Sequence, residues 1–547
     1  MVQSEIMNFK SAGTQEKDIL YQQLGETLLW FALVVTGFVI LKGILMYAMR
    51  QTLIVMSRLI EYDMRKELFT HLQGLDQSFY KAHKTGDIMS RISEDVSKVR
   101  NYLGPGILYG INLITLFAMT IYAMLKVDVY LSIFALLPLP ILSISIYYVS
   151  KMINEKSTLI QQQLGKLNST AQEAYSGIRV IKSYVKEDQF VDFFDRQSDE
   201  FRKRSLSLAK VEAWFHPLMI LLIALSTLLV VIVGGYQVYN GTLTAGNIAE
   251  FILYVNMLTW PVTAIGWIAS VVQEAEASQA RINELMDTKP ILVNNNHDSY
   301  DLKGQIAFNH VDFAYPGSTI KALDDVTFEL KAGQKMAILG KTASGKSTIG
   351  ELLLRMYDVQ NGNVLIDDKD IRSHNLELLR SRIAYVPQDV FLFSDTVASN
   401  ISFGVHDAEE YEIAEYAHHA AVAEDISRLP SGYETLVGER GVTLSGGQKQ
   451  RISIARALLR KPDVIILDDA LSAVDTSTEQ HIMQHFTESL AGKTVIMITH
   501  RANNLLNYDK IIVLDNGKIV EEGTHESLIA NNGFYASVYE QQLVQEN

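Results

Sequence analysis

The chain of 547 residues has no cysteine, so disulfides and thiolate metal sites are excluded, and the composition fits a reducing compartment. A basic excess is also lacking: 48 Lys and Arg stand against 62 Asp and Glu, a formal net charge of −14. That balance argues against nucleic acid as the main partner, because such binding is driven by basic side chains neutralising phosphates. The first residues do not read as a secretory signal with a small-residue cleavage site. What is present is too long for one ordinary domain. The hydrophobic content of 48% hides two unlike halves. Residues 1–285 carry long apolar runs, and the remainder reads as a soluble α/β domain.

A membrane span needs about 20 mostly apolar residues. Five segments qualify, at about 26–48, 104–126, 129–150, 214–239 and 248–271. Five such runs are too long and too apolar for the core helices of a soluble protein. The segments 50–103 and 151–211 between them are rich in Lys and Arg, whereas the connection 240–247 has neither. The positive-inside rule therefore puts both long loops, and the C-terminal domain with them, in the cytoplasm. An odd number of spans then leaves residues 1–25 outside. Charge within the spans is scarce. Lys42 can snorkel and Glu250 lies at a boundary. Pro217 after His216 and Pro261 after Trp260 are expected to kink their helices.

Segment 50–80 has no proline and one glycine, so it is expected to continue as helix well beyond the bilayer. A turn at Gly86 to Ile88 is expected to begin a short amphipathic stretch through Val99. The second loop repeats the layout, with Glu173 to Lys182 near its tip. These are either solvated helical hairpins or two short helices, near 86–99 and 173–186, that dock on the C-terminal domain.

Strand-like alternation begins near Ile306. Lys335 to Leu339 then reads as a buried strand feeding Gly340-Lys341-Thr342-Ala343-Ser344-Gly345-Lys346-Ser347-Thr348. This Gly-x-x-x-x-Gly-Lys-Ser run between strand and helix is a phosphate loop. Its glycines let backbone N–H groups face phosphate oxygens, Lys346 brings charge, and the Ser347 hydroxyl can ligate Mg²⁺. The helix from Thr348 aims its positive end at the same anions. Further on, the apolar strand Val464 to Leu467 ends in Asp468, a carboxylate suited to hold Mg²⁺ opposite Ser347.

At this point the chain resembles the ATP-binding-cassette (ABC) transporters, and six further motifs carry the resemblance in order. Tyr315, in Phe313 to Gly317, matches the aromatic that stacks on adenine. Gln388, in Val386 to Asp389, matches the hinge glutamine that reaches the metal and the attacking water. Thr435 to Gly441 resembles the loop before the signature in exporters. Leu444-Ser445-Gly446-Gly447-Gln448 is the signature. Ser472 to Asp475 matches the loop after the Mg²⁺ strand, and His500 matches the switch histidine. The resemblance implies a multi-domain protein: an all-α transmembrane domain (1–285) with long cytoplasmic helical loops, a linker (286–302), and an α/β P-loop cassette (303–547). It further implies ATP and Mg²⁺ as cofactors and cassettes that dimerise head to tail. Each ATP would lie between one chain's phosphate loop and the partner's signature. The expected activity is ATP-driven export or flipping of an amphipathic, drug-like or lipid substrate from the cell membrane. An ATP-gated channel or sensory subunit is the alternative.

Two departures from the family pattern stand out. The catalytic glutamate after the Mg²⁺ aspartate is here Asp469, one methylene shorter, which is expected to weaken hydrolysis. The family implication is the poor-site subunit of a heterodimer, with a slow homodimer as the alternative. Second, segment 26–48 aligns with the family's second span, so a start shortened by about forty residues is expected, with a five-span protein as the alternative. The absence of a leading peptidase domain and of clustered cavity cations points away from peptide and lipopolysaccharide substrates.

Overall fold

The computed structural model describes residues 14–547 except 295, 439–440, 442–443, 473–477, 480–481, 486–489, 503–504 and 547. Contacts divide the chain into two compact units, one of residues 1–73 and 85–288, the other of residues 74–84 and 289–547.

In the first unit, five helices among the described residues are long and apolar enough to cross a membrane: Leu24–Gln73, Thr85–Val127, Val129–Ser176, Glu187–Tyr239 and Ala245–Met286. Each contains one of the expected spans and runs beyond it, since no helix breaker interrupts the polar extensions. Pro217 and Pro261 sit inside helices that continue through them. The inner core joins Met124, Leu131, Leu142, Val230, Phe251 and Leu258, all fully buried. The apolar stretch of the first helix, by contrast, is exposed along its length, as suits a surface solvated by lipid tails rather than water. Close helix approach is enforced where Gly104 meets Ser57: a Cβ there would fall 2.6 Å from the serine Oγ. Buried carboxylates in this unit are paired, Glu61 with Arg58 and Arg65 among them. Asp95, 2% exposed, accepts from Ser278 at 3.0 Å and from the Arg281 guanidinium at 2.8 Å.

The helices Pro138–Ser176 and Glu187–Tyr239 form a long hairpin whose tip is the short helix Ile178–Ser183, inside the expected 173–186. The first loop departs from expectation. Thr85 to Asn101 winds as helical turns within the membrane unit, and the segment grouped with the C-terminal unit is Gly74–Lys84 instead. The reason is local. Asp76 N-caps a helix at Gln77–Ala82 by accepting from the Ser78 and Phe79 backbone N–H groups, so a new helix is capped ten residues before Gly86.

The second unit is built on two sheets. β1 (Ile306–Ala314), β2 (Lys321–Leu330), β4 (Asn361–Ile366) and β5 (Lys369–Asp370) form an antiparallel sheet in the order β2-β1-β4-β5. The other runs β10-β9-β3-β8-β7-β6, from β3 (Lys335–Gly340), β6 (Ile383–Val386), β7 (Val464–Asp468), β8 (Thr494–Ile498), β9 (Lys510–Asp515) and β10 (Lys518–Gly523). All its pairings are parallel except β10 with β9. Its central strands are apolar between their end residues because both faces are covered. Met336, Ile338, Val464, Ile466, Ile496 and Ile498 face one core. Ala337, Leu339, Ile465, Leu467, Val495 and Met497 face the other, where the helix Gly446–Leu459 packs. The C-terminal ends of β3 and β7 bring the phosphate loop and the two acids side by side, at the carboxyl edge where ligands bind open α/β sheets.

Candidate nucleotide site

A cleft of about 340 Å³ opens at this edge. Its lining includes Tyr315, Thr342 through Thr348, Gln388, Asp468, Asp469 and His500. Gly340 and Lys341 lie just outside the lining and shape the loop. Gly340 has φ +154° and Gly345 φ +98°, and a Cβ at either would fall 2.2 Å from a backbone oxygen, of Leu514 and Ala322 respectively. No other residue type fits these two positions. The loop then delivers the start of the helix Lys346–Leu353 to the cleft.

Lys346 is buried, and its ammonium donates to the carbonyls of Gly340 at 2.8 Å and Lys341 at 2.6 Å. Burial lowers its pKa, and attraction from Asp468 and Asp469 opposes that. Asp468 is raised above the ordinary carboxylate value, chiefly by burial and further by the Asp469 charge. Hydrogen bonds from Ser347 and Tyr385 pull it back. The Tyr385 hydroxyl donates to Asp468 Oδ2 at 2.9 Å. Ser347, Asp468 and Gln388 all offer oxygen donors, the set a hard cation such as Mg²⁺ takes alongside phosphate oxygens, and the Ser347 hydroxyl already meets the Asp468 carboxylate.

Asp469 turns away from the strand at φ +48°, its backbone N–H donating to Ile498 O at 2.8 Å. Its Oδ2 accepts from Gln388 Nε2 at 3.2 Å. The residues read as water-activating groups, Asp469, Gln388 and His500, thus share one rim. The backbone carbonyl of His500 accepts from Gln542 at 2.8 Å.

The signature lies elsewhere. Ser445 N-caps Gly446–Leu459 in a capping box, its N–H donating to Gln448 Oε1 at 2.9 Å and its Oγ accepting from Gln448 N–H at 3.3 Å. None of Leu444, Ser445, Gly446, Gly447 and Gln448 lines the cleft. Of the expected flanking motifs, Glu439 and Arg440 before the signature, and Ala473, Val474 and Asp475 after the acids, lie outside the described residues.

Two participants were not read from the sequence. Tyr385 carries no motif and reaches the site because β6 pairs with β7 and sets Tyr385 beside Ile466. Glu351, which accepts from the Tyr315 hydroxyl at 2.8 Å, carries no motif.

A strand-fed phosphate loop, a buried acid two strands away in the same sheet and a helix-capping signature define an ATP-binding cassette, here fused to a multi-pass helical membrane unit. The chain belongs to the ABC transporter family: "ABC transporter transmembrane region" matches residues 2–262 and "ABC transporter" matches residues 323–472. It is 40% identical to a probable multidrug resistance ABC transporter ATP-binding/permease protein, YheI, of Bacillus subtilis (strain 168), over 89% of this chain and 83% of the relative. It is 36% identical to the multidrug resistance-like ATP-binding protein MdlA of Escherichia coli (strain K12), over 95% and 88%. A solved bacterial Atm1-family ABC exporter with ATP bound superposes with a TM-score of 0.77 at 27% identity, over 96% of this chain and 92% of that one. The protein is accordingly an exporter-type half-transporter: an ATPase, integral to the membrane, with a cytoplasmic cassette. Exporters of this kind act as dimers in the bilayer.

Proposed function

We propose that the chain is the weaker-hydrolysing half of an asymmetric exporter that moves an apolar or amphipathic, drug-like or lipid substrate. The division of the chain in this reading is a transmembrane domain at 1–285, a linker at 286–302 and a cassette at 303–547. Tyr315 stacks on adenine, residues 340–348 cradle the phosphates, and Ser347 and Asp468, with Gln388, hold Mg²⁺. That ion, when bound, neutralises developing phosphate charge. The observation that carries the two-chain reading is the separation of the signature from the cleft of its own cassette. Ser445 and Gly447, at a positive helix end, are left to meet the γ-phosphate on a partner chain. ATP then draws two cassettes together, hydrolysis releases them, and the membrane helices alternate between inward and outward access.

Asymmetry rests on Asp469. A carboxylate one methylene short of glutamate reaches its water poorly, while the signature keeps every residue the partner's site requires. The experiment is co-purification from native membranes. A second half-transporter bearing glutamate after its Mg²⁺ aspartate is the expected companion. Recovery of this chain as a homodimer with ordinary exporter turnover would sink the proposal. The short acid also favours one second reading, a nucleotide-timed channel or sensory subunit. Failure of any transported substrate to raise ATPase activity of the reconstituted pair would select it.

A further inference from the structure

The short helix Gln77–Ala82 is fastened within the cassette's unit at both ends. At its start, Asp76 accepts from the Ile291 backbone N–H at 2.7 Å as well as from Ser78 and Phe79. Burial works to raise the Asp76 pKa, and these hydrogen bonds outweigh it, so the carboxylate stays below its ordinary range. At its end, Lys81 holds its ammonium 4.2 Å from the centroid of the Tyr315 ring and 5.0 Å from that of Tyr357. Glu351 Oε2 lies 3.7 Å from the same ammonium and also takes the Tyr315 hydroxyl, which meets Thr348 Oγ1 at 3.0 Å. Tyr315 and Thr348 line the nucleotide cleft and Lys81 does not. The ammonium therefore reaches the ring from outside the cleft wall.

The geometry points to Lys81 as a positioning residue for base recognition: its cation–π contact holds Tyr315 in the pose on which adenine stacks, so affinity for the base depends on the seating of segment Gly74–Lys84. This rests on the reading of Tyr315 as the adenine platform. A ring fixed in advance loses less freedom when the base arrives, and an ammonium on a tyrosine ring is attracted by its quadrupole. Because the two events share one ring, the coupling is reciprocal: bound adenine tightens the hold on Lys81 by the same factor by which Lys81 tightens adenine. The Lys81 side chain is 46% exposed, so its replacement opens no buried cavity.

The test compares equilibrium binding of MgATP and of inorganic tripolyphosphate to the purified full-length chain. Lys81→Met is expected to raise the Kd for MgATP about 3-fold, the size of a partly exposed cation–π contact. Tripolyphosphate, which has no base, should bind unchanged, and Lys81→Arg should restore MgATP binding. An unchanged Kd for MgATP in Lys81→Met overturns the inference, and so does an equal loss for both ligands, which would mark Lys81 as a mere charge near the phosphates. Tyr315→Ala separates the two layers. If it leaves the preference for MgATP over tripolyphosphate intact, the platform reading itself fails. If it abolishes that preference while Lys81→Met leaves it untouched, only the role of Lys81 fails.

Discussion

Replacing Tyr385 by phenylalanine removes a single hydroxyl, the one that donates to Asp468 at 2.9 Å, while the ring stays on β6 beside Ile466. Asp468 is 2% exposed, and its pKa already stands above 3.8 because burial outweighs the hydrogen bonds from Ser347 and Tyr385. A hydrogen bond to an ionised group contributes about 1.5 kcal/mol at the low end of its range, and about 1.4 kcal/mol corresponds to one pKa unit. Tyr385→Phe should therefore push Asp468 up by roughly one further unit. Asp468 serves a cation only when ionised, and ionisation is lost as pH falls through its folded-state pKa. Titration of MgATP binding to the full-length chain across pH should show the acid limb moved up by about one unit, with the alkaline plateau unchanged. Stability follows the opposite sign. With the folded pKa raised, the contribution of Asp468 is present below 3.8 and is lost as pH climbs from there through the folded value. The variant should thus match the parent in thermal unfolding near the acid end and fall below it at neutral pH. An acid limb that does not move in Tyr385→Phe would refute the argument that this hydroxyl sustains the charge on Asp468.

Four other perturbations test separate parts of the molecule. Asp469→Glu restores the missing methylene and should raise ATP turnover of the purified chain by about 10-fold or more, a part of the roughly 10²–10⁴-fold that a placed general base contributes; no gain, together with ordinary turnover of the parent, would count against a degenerate site. Gly345→Ala must place a methyl 2.2 Å from the Ala322 carbonyl at φ +98°, so MgATP binding should be lost, as equilibrium dialysis would report. Ser445→Ala should cost about 1 kcal/mol of stability through its lost cap, leave MgATP binding to the chain's own cleft unchanged, and depress turnover only in the assembled pair. Arg281→Met leaves Asp95 buried without its cation, a change expected to cost about 3 kcal/mol; an unaltered melting temperature in detergent would show that Asp95 is stabilised some other way.

The sequence by itself determined what depends on contiguous residues. Span positions follow from apolar runs long enough for a bilayer. The phosphate loop follows from the Gly-x-x-x-x-Gly-Lys-Ser spacing between a strand and a helix. The signature follows from a serine and glutamine that cap one helix within a single turn. The apolar runs Lys335 to Leu339 and Val464 to Leu467 likewise announced buried strands. Tertiary structure alone decided which distant groups meet. The pairing of Tyr385 with Asp468 exists because β6 and β7 are parallel neighbours, a fact no local pattern encodes. The turn of the first loop was expected at Gly86, but the long first helix already ends at Gln73, and a new helix starts at the Asp76 cap, which satisfies the free N–H groups of its first turn. Lys81 in sequence is one cation in a basic loop. Only folding sets it over the ring of Tyr315, since a cation–π contact depends on where a ring face lies and not on any spacing along the chain.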